Sequence, residues 1–232
     1  MSARVWLNVD LGELPDEPEA LYECAHVANV ACGGHAGDDA SMRQAVDLCL
    51  RWGVELGAHP SYPDREGFGR RHVALAPRAL CETVKEQCLR LAGVAAGRRA
   101  RVAYLKPHGA LYHDANADPA AADAIVRAAS EALGPTVTLI GPPRGALAEA
   151  AAKAAIAYAR EGFADRATRS DGTLVPRTEP GALVTDPAKA AARAADLVAG
   201  RAFETLCVHG DTPGAVAIAR AVRRVLDSAA GG

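Results

Sequence analysis

Basic residues are not in excess in this chain: 26 lysines and arginines face 28 aspartates and glutamates, for a formal charge of −2. A polyanion is bound by neutralising its phosphates with cations, so nucleic acid is not an expected partner. Long apolar runs are missing too. The most apolar stretch, Ala146–Ala159, is broken by Glu149 and Lys153 and falls short of the ~20 residues that a bilayer-spanning helix needs. Met1–Arg4 runs directly into the alternating stretch Val5–Asp10, which leaves no room for a signal peptide. The expectation is a soluble cytoplasmic protein with no membrane association. The six cysteines, Cys24, Cys32, Cys49, Cys81, Cys88 and Cys207, include no C-x-x-C pair, so zinc-ribbon and redox readings lose their usual support. Cys49 falls on the stripe Met42, Val46, Cys49, Trp52, and Cys88 on Leu80, Val84, Cys88, Leu91. Both read as small core hydrophobes in a reduced compartment, and burial is also the reading for Cys32. No phosphate loop of the G-x-x-x-x-G-K-[ST] kind occurs.

What is present is an alternation of apolar runs and helical patterns from end to end. Strands are expected at Val5–Asp10, Val27–Cys32, Val54–His59, Val102–Lys106, Val137–Ile140, Ile156–Ala159 and Leu206–His209, which implies a parallel sheet. Asp118-Pro119, Asp186-Pro187 and Thr212-Pro213 each put an N-cap residue before a proline, and Asp38 or Asp39 can cap the helix bearing Met42. Ala120–Ala132 and Ala188–Ala195 read as amphipathic helices. No repeat, linker or composition shift divides residues 1–232, so one domain is expected; half of the residues are apolar, enough for one sizeable core. Two connections, Pro60 to Ala76 and Glu161 to Gly181, exceed the usual loop length and read as binding loops or lids. At least five strand ends carry Asp, Glu, Lys or His. An open sheet binds ligand mainly at one switch point, whereas a barrel gathers groups from many strand ends, so the barrel is favoured.

Four histidines stand where an apolar run breaks into a turn: His35, His59, His108 and His209. In Asn8-Val9-Asp10-Leu11-Gly12-Glu13, two carboxylates three residues apart suit an acid/base pair, a metal anchor or a substrate clamp; capping by Glu13 and a solvated Asp10 is the bland alternative. The glycines before Asp38 permit close backbone approach to an anion, or merely connect two elements. Arg70 and Arg71, flanked by Gly67-Phe68-Gly69, suit bidentate binding of carboxylate or phosphate, or form a solvated loop tip. Lys106-Pro107-His108-Gly109 is the sharpest signal. Lysine occurs only four times against 22 arginines, yet one ends a buried strand beside a histidine. A cation there can hold a phosphoryl or carbonyl oxygen while the imidazole moves a proton. Asp165-Arg166 and His209-Gly210-Asp211 add carboxylates, a cation and the fourth histidine; Asp165 and Arg166 also read as a local ion pair.

In order, N-x-D-L-G-E, A-N-x-A-C-G-x-H-A-G-D, G-A-H-P-S-x-P-D-R, G-F-G-R, K-P-H-G-x-L-Y, F-A-D-R, G-x-L-V-P-R and C-x-H-G-D resemble the LamB/YcsF family, the A subunits of 5-oxoprolinase. The match runs from Asn8 to about Arg223. It departs from the family pattern at Gly34, where phenylalanine is usual, at Gly162 in place of a bulkier residue, and at Thr168 in place of an aromatic.

The resemblance implies a seven-stranded β/α barrel, TIM-like and of the glycoside hydrolase/deacetylase type. It also implies ATP-dependent opening of 5-oxo-L-proline to L-glutamate, carried out with 5-oxoprolinase subunits B and C and with ATP, accompanied by Mg, as co-substrate. Such chemistry needs cations for a phosphoryl group, a base for water and clamps for the substrate carboxylate. Asp10, Glu13, Lys106 and His108 are the candidate catalytic residues. His35, Asp38, His59, Arg70, Asp165, Arg166, His209 and Asp211 are the candidates for substrate or nucleotide binding. Two alternatives remain open: a metal-dependent deacetylase using Asp10, His59 and His108, and a substrate-binding subunit without catalysis of its own.

Overall fold

The computed structural model describes residues 5–169 and 173–231. Residues 1–4, on which the absence of a leader was read, and residues 170–172 of the second long loop lie outside them. Among the described residues, seven strands and eight helices follow in the order β1 (Trp6–Leu11), α1 (Ala20–Cys24), β2 (Val27–Ala31), α2 (Asp39–Trp52), β3 (Glu55–His59), α3 (Pro77–Ala96), β4 (Val102–Leu105), α4 (Gly109–Ala117), α5 (Pro119–Leu133), β5 (Thr138–Gly141), α6 (Ala146–Lys153), β6 (Ala157–Phe163), α7 (Pro187–Ala199), β7 (Thr205–His209) and α8 (Ala215–Ala230). All seven strand pairs are parallel, and β7 pairs with β1 to close a barrel, as the polar strand ends led us to expect.

Strand periodicity explains where the core sits. On β1, Leu7, Val9 and Leu11 are fully buried in the large cluster shared with the surrounding helices. The alternate positions face inward: Trp6 packs with Val27, Tyr104, Ile140 and Ala159, and Asn8 and Asp10 follow it up the barrel axis. The barrel interior is thus apolar at its lower end and polar at its upper end. That polarity misplaced one boundary. The sequence ends the sixth strand at Ala159 and opens a long connection at Glu161, yet β6 continues to Phe163, pairing Glu161, Gly162 and Phe163 with Thr205, Leu206 and Cys207.

Local chemistry sets the helix starts. Asp38 caps α2 by accepting from the amides of Ala40 and Ser41, while the Ser41 hydroxyl accepts from the Asp38 amide. Asp118 and Asp186 cap α5 and α7 ahead of Pro119 and Pro187. Thr212 does not cap α8. Its hydroxyl donates to Asp165 at 2.7 Å instead, and the helix starts at Ala215 after Gly214 at φ 79°. A buried carboxylate outcompetes a helix terminus for that hydroxyl, because it has no water to accept from. All six cysteines are buried and free of disulfides. Burial pushes the Cys32 thiol up to about 12, which makes it a packing residue rather than a nucleophile. No helix among the described residues is long and apolar enough to cross a membrane.

Candidate active site

The C-terminal ends of β1, β3, β4, β6 and β7 surround a cleft of about 580 Å³, whose lining includes Asp10, His59, Lys106, His108, Phe163, Arg166 and His209. Lys106 is its central cation. Its ammonium donates to Asp10 at 2.9 and 3.2 Å and to Asn8 Oδ1 at 3.3 Å, and lies 3.0 Å from Cys207 Sγ. Glu161 Oε1 stands 2.8 Å away as an ion-pair contact, off the direction of a hydrogen bond. The lysine, Asp10 and Glu161 side chains are each at most 3 % exposed, so the triad is held without water. Burial works against charge on both partners. The mutual attraction wins: Lys106 is held well above the usual ammonium range by Asp10 and Glu161, and Asp10 well below the usual carboxylate range by His59 and Lys106. Asn29 locks the far side of the cluster, donating to Asn8 at 2.7 Å and to Asp10 at 2.8 Å.

Three histidines pack above this triad. His59 Nδ1 meets the Lys106 carbonyl at 2.7 Å, and His108 Nε2 meets the Phe68 carbonyl at 2.9 Å. His35 stacks flat on His108, with ring centroids 3.6 Å apart and planes within 1°. Glu13 lies among them, 2.9 Å from His35 Nε2 and 3.2 Å from His108 Nδ1. Burial would raise its carboxyl, but the His108 and His35 imidazoles hold it well below the usual range. Burial lowers His35 to about 4 and also depresses His108; His59 is raised, because Asp10 outweighs the burial penalty.

The first long loop supplies the roof of this cluster. Phe68 adopts φ 54°, a left-handed conformation that is uncommon outside glycine and that accompanies the aim of its carbonyl at His108. Gly69 follows at φ 65°, where an added Cβ would stand 2.9 Å from both His108 and His35. The tight G-F-G-R spacing is therefore a packing requirement of the site. Arg71 turns back to Asp64 within its own loop, while Arg70 lies over the Phe68 ring and reaches Asp211 at 2.5 Å.

A fourth histidine faces the cluster from β7. Asp165, fully buried, accepts from the His209 amide at 2.9 Å and from Thr212, and both its oxygens lie 3.1 Å from His209 Nδ1. Burial opposes its charge, but His209 and Thr212 hold its carboxyl below the usual range. A charged carboxylate can only accept, so Nδ1 carries a proton toward Asp165, and the opposite ring nitrogen, Nε2, faces Asp10 3.8 Å away. Asp165 and Arg166 are not oriented as a local pair: Arg166 donates instead to the Val175 carbonyl at 2.7 Å, and its buried Nε has no partner among the described residues. Arg177 clasps Asp211 through two hydrogen bonds of 3.0 Å.

Of the twelve candidate residues, Asp10, His59, Arg70, Lys106, His108, Arg166 and His209 line the cleft. Glu13 and His35 stand behind it, in contact with His59 and His108, and Asp165 and Asp211 hold His209, Arg70 and Arg177. Asp38 does not join them; its exposed carboxylate is spent on capping α2. The candidate set left out Asn8, Asn29, Glu161 and Cys207, although Asn8, Glu161 and Cys207 meet Lys106 and Asn29 meets Asp10. The signal for Asn8 was available, since Asn8 and Asp10 are two residues apart and share one face of β1.

A closed parallel β/α barrel with polar groups converging at its C-terminal rim defines the class as a TIM-like barrel with an enzyme-type site. The LamB/YcsF family profile matches residues 5–231, and the chain belongs to that family. A curated relative from Methylococcus capsulatus, named as the A subunit of 5-oxoprolinase, is 44 % identical over 243 aligned positions, covering 97 % of this chain and 93 % of the relative. The crystal structure of a lactam utilization protein from Thermus thermophilus superposes with a TM-score of 0.89 at 36 % identity, covering 98 % of this chain and 97 % of that one. A chitinase from Rhizomucor miehei, at 11 % identity and a TM-score of 0.51 over 94 % of this chain and 99 % of that one, shares the fold alone.

Proposed function

We propose that this chain is the A subunit of an ATP-dependent 5-oxoprolinase, opening 5-oxo-L-proline to L-glutamate with hydrolysis of ATP to ADP and phosphate, alongside subunits B and C. The observation that carries the reading is the cleft floor itself, where a dry ammonium, a carboxylate and an oriented imidazole meet beneath a rim of arginines. The name of the 44 % identical relative supplies the substrate class.

A five-membered lactam is a stabilised amide. Transfer of the γ-phosphoryl group of ATP to its carbonyl oxygen makes that carbon an imidate-like electrophile, which water attacks; loss of phosphate and cleavage of the C–N bond give glutamate. Lys106 and Arg166 supply the positive charge that the phosphorylated oxygen requires in a water-poor site. Arg70 and Arg177, presented together by Asp211, face the cleft where a substrate carboxylate is to be clamped. The base for water is His209: its Nε2 is the free nitrogen of an imidazole whose other side is fixed by Asp165. Asp10, kept ionised by Lys106 and His59, stabilises the imidazolium that forms. Glu13 and His108 serve proton transfer less directly than their sequence positions suggest, since Glu13 lies behind His59.

Mixing this chain with subunits B and C, ATP, Mg and 5-oxo-L-proline tests the reading. Glutamate release is expected only when ATP and all three chains are present. Release that ignores ATP and stops with a chelator would point to a metal-dependent hydrolase instead. Lactam binding by this chain, with turnover unaffected by its cleft substitutions, would make it a binding subunit.

A further inference from the structure

Opening a lactam needs two proton movements. Water gives one up, which the proposed function assigns to His209, and the departing ring nitrogen has to receive one, since an amide anion is too basic to leave unprotonated. Five histidines line the cleft: His59, His72, His108, His113 and His209. Most of them are committed elsewhere. His59 has both nitrogens engaged, by the Lys106 carbonyl and by Asp10, and so has His108, by the Phe68 carbonyl and by His59. Burial and the nearby Arg166 charge lower the hold of His113 on a proton, so it is neutral near pH 7. The Lys106 ammonium is a poor donor, because Asp10 and Asn8 hold its N–H groups and Asp10 keeps it well above the usual ammonium range.

We infer that His72, oriented by Asp114, is the general acid that protonates the ring nitrogen of the lactam as its C–N bond breaks. The inference rests on the lactam-opening reading of the site. His72 Nδ1 lies 2.6 Å from Asp114 Oδ2, which also accepts from the Tyr62 hydroxyl at 2.8 Å. The Tyr62 ring meets the His72 ring edge-on, with centroids 5.7 Å apart, so one ring face is packed and the carboxylate sets the rotation. A carboxylate only accepts, so Nδ1 carries a proton and Nε2 is the nitrogen left to exchange one. Asp165 treats His209 in the same way, and both imidazoles line one cleft. The two differ in access to water. The His209 side chain is 13 % exposed above a fully buried Asp165, whereas that of His72 is 65 % exposed. A general acid has to be recharged in every turnover, and only an open imidazole takes its proton straight from solvent. As the C–N bond breaks, its electron pair passes to nitrogen and the Nε2 proton of His72 follows it. The nitrogen departs as an amine, His72 is left neutral, and water at the rim returns the proton.

The test is glutamate release by the complex assembled with wild-type, His72→Ala or Asp114→Asn chains, each checked for native circular dichroism, in the presence of ATP, Mg and 5-oxo-L-proline. His72→Ala is expected to lower kcat by at least about 10²-fold while KM changes by less than about threefold. Asp114→Asn is expected to lower kcat by about tenfold or more, because an amide can hold the ring in the wrong tautomer. Free imidazole is expected to restore His72→Ala by at least about tenfold, since the vacated place is open to solvent, and to leave Asp114→Asn unchanged. A His72–Asp114 contact that only braced the loop against α4 would not respond to imidazole in solution. Wild-type turnover in His72→Ala, or a loss that imidazole does not reverse, overturns the inference alone. A wild-type complex that releases no glutamate removes the lactam reading itself and the inference with it.

Discussion

Replacing Lys106 with methionine keeps most of the side chain's volume and removes its charge. In the native barrel that ammonium is 2.9 Å from Asp10 and 2.8 Å from Glu161, with the three side chains at most 3 % exposed. Breaking a buried pair by deleting one partner costs about 3–5 kcal/mol, mostly from the charge left behind. Here two carboxylates are left facing one centre, so the upper half of that range is expected near pH 8. Acid should relieve the loss. Without the lysine, one of the two carboxyls acquires a folded-state pKa above its unfolded value. Its contribution is then fully present below the unfolded pKa of about 4 and is lost as pH rises through the folded value, at up to about 1.4 kcal/mol per pH unit. Urea denaturation of Lys106→Met and wild type from pH 5 to pH 8 should show a deficit that widens with pH. Adding Asp10→Asn should recover a large part of it. Parallel stability curves, or a deficit under about 1 kcal/mol at pH 8, would refute the picture of a dry triad.

Further outcomes follow from single contacts. Asp165→Asn should leave the fold intact yet lower turnover by about 10²-fold or more, because an amide can hold His209 in the wrong tautomer; steady-state kinetics of the assembled complex would show it. Gly109→Ala should cost about 1–3 kcal/mol in urea melts and disturb the His108 loop, since its Cβ would stand 2.4 Å from the Gly69 carbonyl oxygen at φ 58°. Burial raises the Glu17 carboxyl to about 7. Its stabilising contribution is therefore complete below its unfolded pKa and declines as pH rises through about 7, by roughly 3 kcal/mol in all. Glu17→Gln should flatten that part of the stability–pH profile between pH 5 and pH 8.

The barrel was legible in the sequence for a simple reason: most strands are short apolar runs, and several of them carry a polar residue at or next to the C-terminal end. The β6 boundary was not, because the charged pair Arg160-Glu161 closes the apolar run after Ala159 in a one-dimensional reading, whereas in a closed barrel Glu161 is a buried strand position. The same distinction runs through the site. His35, His59, His108 and His209 announced themselves through their turns, and the structure brings all four to one rim. Asp38 had the same kind of setting, but a helix began immediately after it and took its carboxylate. What no local pattern could supply was pairing across the barrel. Lys106 meets Asp10 96 positions away, and Asn8 meets Thr205 197 positions away. Those partners are set by strand register, which only closure of the sheet determines. The roles of Asp165 and Thr212 were hidden likewise, since each looked committed to a neighbour: one to Arg166, the other to the start of α8.

The most direct measurement is ATP-dependent glutamate release from 5-oxo-L-proline by complexes assembled with wild-type, Lys106→Ala or His209→Gln chains of verified fold. Both substitutions are expected to reduce turnover by at least about 10²-fold while the complex still assembles. Turnover equal to wild type in both would contradict the assignment of the strand-end cluster as the reaction site.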